Sequence, residues 1–75
     1  MPVAYLPSDH RDRAISAMEA LRRTFERRRR AAERFAMHAA SVADKDTADF
    51  FSREAKIWDE AFEEVTLRMQ VEQGL

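Results

Sequence analysis

The residues that stop helices are confined to the two ends of this chain. Pro2 and Pro7 precede the first periodic segment, and the single glycine, Gly74, is next to last. In a helix interior glycine costs about 1 kcal/mol and proline about 3 kcal/mol relative to alanine. Nothing between Ser8 and Gln73 carries such a penalty. The chain is therefore expected to be all-α.

Two apolar stripes follow helical spacing. The first runs Ala14, Met18, Leu21, Phe25, Arg28, Ala32, Phe35, Ala39 and Val42. Its steps alternate four and three, the spacing that keeps one seam against a partner helix. Arg28 is its only interruption. The second runs Phe51, Ala55, Trp58, Phe62, Val65 and Met69 in the same rhythm. Small and large residues alternate along the first, which favours close, interdigitated packing.

The seam turns polar between the stripes, at Asp44-Lys45-Asp46-Thr47. Asp and Thr compete with helical hydrogen bonding through short polar side chains. With no Gly or Pro there, a turn is an inference, and one continuous helix is the rival. Breaks are nevertheless expected in a pattern this long. The reading is a single domain over 1–75: an arm at 1–7, a helix over about 9–42, a turn over about 43–46 and a helix over about 47–73. In the arm, Val3, Tyr5 and Leu6 are available to pack on a neighbour. Ser8 or Asp9 is the expected first cap, Asp46 or Thr47 the second, and Gly74 the stop.

The expected architecture is thus an antiparallel two-helix hairpin. Two helices give each seam only one neighbour, and both carry apolar residues beside the seam. Phe50 and Ile57, seven apart, form a second line on the second helix; Ile15, Ala61 and Leu67 add to the surplus. A wide apolar arc needs more than one packing partner. Burying one large apolar side chain is worth about 1.5–3 kcal/mol, and a domain this small has little stability to spare. Assembly of two hairpins into a dimeric four-helix bundle is expected, or docking on a larger protein. The protein-interface candidates are Ile15, Arg28, Phe50, Ile57, Trp58, Ala61 and Leu67.

Charge is split between the halves. The first holds the uninterrupted run Arg27-Arg28-Arg29-Arg30, with Arg22, Arg23 and Arg34 nearby. The second holds Asp59, Glu60, Glu63 and Glu64 at the matching height of an antiparallel hairpin. Internal charge matching is the favoured reading, and it would select the antiparallel register. Arg28 is the sharper case, because a seam arginine costs desolvation unless paired. The alternative is a small nucleic-acid-binding regulator, with Arg22, Arg23, Arg27, Arg30 and Arg34 on phosphates. The formal net charge of -1, the absence of a helix-turn-helix glycine turn and the lack of a strand pattern make it second choice.

Other chemistry is poorly represented. There is no cysteine and there are two histidines, His10 and His38, so neither a disulfide framework nor a thiolate zinc site is expected. Ser41, His38 and Asp44 cluster in sequence, but without the oxyanion-donating turn that a nucleophile needs. A bundle di-iron site needs Glu-x-x-His pairs, and Glu33 precedes His38 by five. No phosphate-cradling glycine loop exists. No cofactor or metal is expected, and no enzyme.

No stretch is long and apolar enough to span a membrane. The start, MPVAYLPSDH, does not read as a signal peptide. The acidic second helix disfavours an anionic leaflet. A cytoplasmic protein is the expectation. In architecture alone the plan resembles small helical-hairpin adaptors, regulators and secretion chaperones, which implies no functional residues. The functional expectation is a non-enzymatic protein–protein interaction module.

Overall fold

The computed structural model describes the backbone of residues 7–74 and the side chains of residues 10–74. Two helices account for nearly all of it: α1 (Pro7–Ser41) and α2 (Lys45–Glu72). They lie antiparallel, since Phe35 meets Phe51 near the turn, Phe25 meets Trp58 farther out, and Arg22 meets Phe62 beyond that. The molecule is one helix thick, with extents of 64 × 21 × 12 Å. Among the described residues there is no strand. The expected arm falls on residues 1–6, outside the described residues, and on Pro7, which begins α1.

Both helix starts differ from expectation. Pro7 occupies the first helical position, where its fixed φ suits the helix and its missing N–H is not needed. Ser8 and Asp9 therefore lie within the first turn rather than ahead of it. The cap of α2 is Asp44, not Asp46 or Thr47: its carboxylate accepts from the Thr47 backbone N–H at 3.2 Å. Asp46 adds negative charge in the first turn, near the positive end of the helix dipole. At the far end Gly74 takes a left-handed φ of 77° just past α2, the stop its position predicts.

The turn consists of Val42, Ala43 and Asp44, and it compresses two caps into three residues. Ala43 has a φ of 61°. Its N–H donates to the Ala40 carbonyl at 3.0 Å, and the Asp44 N–H donates to the Ala39 carbonyl at 2.9 Å. These two bonds form a Schellman motif that closes α1. Asp44 completes that motif with its backbone and opens α2 with its side chain. Alanine stands where glycine is usual, so no glycine marks this turn in the sequence.

The second stripe is the face of α2 that meets α1: Ala55 and Met69 are buried, while Phe51, Trp58, Phe62 and Val65 are half-buried. The first stripe is only partly so. Its column Met18, Phe25, Ala32 and Ala39 faces α2, but the companion column is Arg22, Arg29 and Ala36. Leu21, Arg28 and Phe35 are exposed. The interface is set one position over from the apolar reading. Two physical terms favour this setting. Ala32, Ala36 and Ala39 let the backbones approach closely. Arg22 and Arg29 cover the seam's edge with their stems while their charged heads reach solvent or a partner. Burying Arg28 at the centre would instead desolvate a guanidinium.

Candidate interaction surface

The two open faces of the hairpin differ in chemistry. One carries a shallow groove lined by Arg28, Ala31, Ala32, Phe35, Phe51, Glu54 and Trp58. The other carries a cleft lined by Arg29, Glu33, Ala36, Met37, Ser52, Ala55, Lys56 and Asp59, and one lined by Glu19, Arg22, Arg23, Glu26 and Phe62. The first face is predominantly apolar, and the second mixes charged side chains with apolar ones.

Helical spacing extends the apolar face beyond its groove. Phe50, Glu54, Ile57 and Ala61 follow i, i+4, i+7 and i+11 on α2, so Phe50, Ile57 and Ala61 continue the line through Glu54. On α1, Leu21, Arg28 and Phe35 are spaced by seven. Phe35, Phe50 and Ile57 each expose half or more of their surface, and Leu21 nearly as much. The residues that are buried are Ala32, Ala39, Ala55 and Met69, three of them alanines.

Aromatic contacts make the face continuous. Phe35 packs on Phe51 with ring centres 5.1 Å apart, and Phe51 meets Phe50 edge-on at 5.1 Å. Phe25 stacks on Trp58 at 5.7 Å. The Arg28 guanidinium lies over the Trp58 ring, 5.1 Å from its centre. Arg28 is thus exposed and held by an aromatic face. Among the described residues no carboxylate lies within 4.0 Å of it.

Charge matching between the helices is narrower than counting from the turn suggests. Arg29, not Arg28, crosses to α2, with its Nε 3.8 Å from Asp59. Arg29 also bonds Glu33 at 2.6 Å, and Arg30 bonds Glu26 at 3.0 Å, both within α1. Among the described residues Glu60, Glu63 and Glu64 make no ion pair. Arg22 lies over the Phe62 ring at 5.1 Å and donates to the Met69 sulfur at 3.7 Å. Arg22 is thus half-buried against α2. Arg23, Arg27, Arg30 and Arg34 remain exposed.

The structure therefore divides the expected interface residues. Arg28, Trp58, Phe50, Ile57 and Ala61 belong to the apolar face. Leu67 lines a separate cleft with Phe62, Glu63 and Thr66. Ile15 is half-buried one heptad before Arg22, on the charged side. Phe35, Leu21, Glu54 and Ala31 join the face without having been singled out. No arginine count marks the first two for the surface, because the column that takes their place at the seam holds two arginines, Arg22 and Arg29.

The serine–histidine–aspartate cluster has ordinary structural roles. Ser41 Oγ donates to the His38 backbone carbonyl at 2.6 Å rather than to the imidazole. Asp44 caps α2, and hydrogen bonds from Thr47, first its side chain and then its backbone N–H, hold the carboxyl below its ordinary value. Among the described residues no group of His, Asp and Glu is arranged to hold a metal ion, and no helix is long and apolar enough to cross a membrane.

Fold and surface together define a two-helix, antiparallel α-hairpin with one predominantly apolar face and one of mixed, charge-bearing character. Comparison with known proteins finds no matching family model, no matching curated protein and no matching solved structure.

Proposed function

We propose that this hairpin is a non-enzymatic protein-interaction module whose apolar face receives a second copy, giving a twofold-symmetric four-helix bundle. One observation carries the reading. The large side chains Leu21, Phe35, Phe50 and Ile57 are exposed together on one face, while the interior consists mainly of alanine. A two-helix chain with so little buried apolar volume is short of stability by itself. A second apolar face supplies the missing burial.

The charges on the face favour a second copy over an unrelated protein. Arg28 and Glu54 line the same groove among apolar neighbours. A twofold axis brings each patch against itself, so whatever residue i contacts, its counterpart contacts i in turn. One cation and one anion on such a patch satisfy each other across the axis. A foreign partner would have to match both separately.

Light scattering coupled to size-exclusion chromatography, run over a wide concentration range, tests this directly. The expected mass is that of two chains, with thermal stability rising with concentration. A well-folded monomer at every concentration overturns self-association and leaves a larger protein as the partner.

A further inference from the structure

We infer that the outer edge of α1 is a second binding site, for the phosphate backbone of duplex DNA. Arg23, Arg27, Arg30 and Arg34 follow i, i+4, i+7 and i+11, so they form one straight ridge ~16 Å long. The ridge points away from α2. Arg30 and Arg34 lie two residues either side of buried Ala32, and Arg23 and Arg27 two residues either side of Phe25, which stacks on Trp58. All four are exposed.

Of the nearby carboxylates, Glu33 is committed to Arg29, while Glu26 bonds Arg30 of the ridge itself at 3.0 Å, so a phosphate must displace it there. Glu19 shares a cleft with Arg23 without pairing to it. Among the described residues Arg23, Arg27 and Arg34 have no carboxylate within 4.0 Å. The acidic residues Glu60 and Glu64 are exposed on α2, across a molecule 21 Å wide. Charges more than about 8 Å apart are largely screened at physiological salt, so the acidic helix does not cancel the ridge. A net charge of -1 thus conceals a local cationic field.

The choice of ligand follows from what the ridge lacks. No large apolar residue stands among the four arginines, and protein interfaces depend on a desolvated apolar or aromatic centre. Phosphates need none: guanidinium forks bind them bidentately, and the affinity comes from counterion release. A helix edge is convex and fits the major groove of B-form DNA, whereas that of A-form RNA is too narrow. The site is separate from the apolar face, so it stands or falls independently of self-association.

The test is fluorescence anisotropy of the full chain with a mixed-sequence DNA duplex, a matched RNA duplex and poly-glutamate. Four phosphate contacts predict a slope of about −3.6 in log affinity against log salt, an approximately 150-fold weakening between about 50 and about 200 mM. Arg23→Gln, Arg27→Gln, Arg30→Gln and Arg34→Gln together should abolish binding with helicity intact by circular dichroism, because glutamine is a good helix former. Each single replacement should flatten the slope by about 0.9. A salt-independent wild-type signal, undiminished binding by the quadruple variant, or equal binding to RNA or poly-glutamate would overturn the assignment. The wild-type salt slope decides the matter even if the quadruple variant unfolds.

Discussion

The guanidinium of Arg28 rests over the indole of Trp58, 5.1 Å from the ring centre, and this contact explains how a charge survives in an apolar column. The arginine stem covers aromatic surface, and the ring's negative face receives the cation. Arg28 therefore needs no carboxylate within the hairpin. Its exposed position predicts that Arg28→Ala lowers stability only by about 0.5–1 kcal/mol, the range for exposed cation–π pairs. Urea unfolding followed by Trp58 fluorescence measures it on the single chain, at concentrations below self-association. At concentrations where two chains associate the loss should be larger, because the proposed twofold contact buries Arg28 beside Glu54.

Arg29 and Asp59 form an ion pair across the helices at 3.8 Å, with Asp59 half exposed. Solvent screening and competition from Glu33 limit its value. A double-mutant cycle with Arg29→Ala and Asp59→Ala should return a coupling of about 0.2–1 kcal/mol. Addition of salt should reduce it further. A coupling of several kcal/mol would show that this pair, rather than the alanine interior, sets the register.

Ala43 stands in the left-handed region at a φ of 61°. A Cβ there is unfavourable by about 1–2 kcal/mol, offset in part by the greater entropy that glycine has in the unfolded chain. Ala43→Gly should therefore stabilise the hairpin by up to about 1 kcal/mol, visible as a raised thermal midpoint. Ala43→Val should destabilise it, since a β-branched residue tolerates positive φ poorly. If Ala43→Gly lowers the midpoint, the turn does not have this geometry in solution.

Asp44 titrates below its ordinary value of 3.8 in the folded chain because Thr47 hydrogen-bonds its charged form. The sign follows from linkage: a depressed folded value means the unfolded state binds the proton more readily. The cap's ionic contribution is full above the ordinary value and is lost as pH falls through the folded one. Wild type should thus lose stability below pH ~4 more steeply than Asp44→Asn, which keeps an accepting oxygen but does not titrate. Thermal melts from neutral pH to about pH 2 would show the divergence. Parallel curves would remove Asp44 from the acid response.

Phe50 and Ile57 expose half or more of their surface and make few demands on the hairpin interior. Ser replacements at both should weaken self-association, shifting the mass from two chains to one and lowering the thermal midpoint, since the single hairpin has little burial of its own. Phe25→Ala is the contrasting case. Removing the ring that stacks on Trp58 should cost about 3 kcal/mol, toward the lower end for a large aromatic because the site is only half-buried. Sedimentation velocity with parallel circular dichroism separates the two effects. Retention of the two-chain mass by the Phe50 and Ile57 replacements would place the contact elsewhere.

Much of the fold is legible in individual residues. The confinement of Pro7 and Gly74 to the ends marks a helical chain, because both act through local backbone terms. The stripe from Phe51 to Met69 identifies the contact face of α2, since every member is apolar, whereas the rival line through Phe50 and Ile57 is interrupted by Glu54. The turn is less legible. Ala43 does by context what glycine ordinarily does, and Asp44 serves two caps at once, so neither residue advertises its conformation. The apolar face was half visible: Phe50 and Ile57 stand off the seam by spacing, while Leu21 and Phe35 fall into a regular stripe that proves to be partly exposed.

By itself the sequence determined two amphipathic helices, their order and the segment between them, because propensity, capping and periodicity operate within a few residues. Only tertiary structure decided the rotation of α1 about its own axis. Two columns compete for that seam, one through Leu21, Arg28 and Phe35 and the other through Arg22, Arg29 and Ala36. They differ by one residue in register, and the first is the more apolar. The second wins because close approach of two backbones rewards alanines and lets arginine heads escape at the edge. That rotation leaves Phe35 and Leu21 beside Phe50 and Ile57 on one open face, and turns Arg23, Arg27, Arg30 and Arg34 outward along the other side of α1.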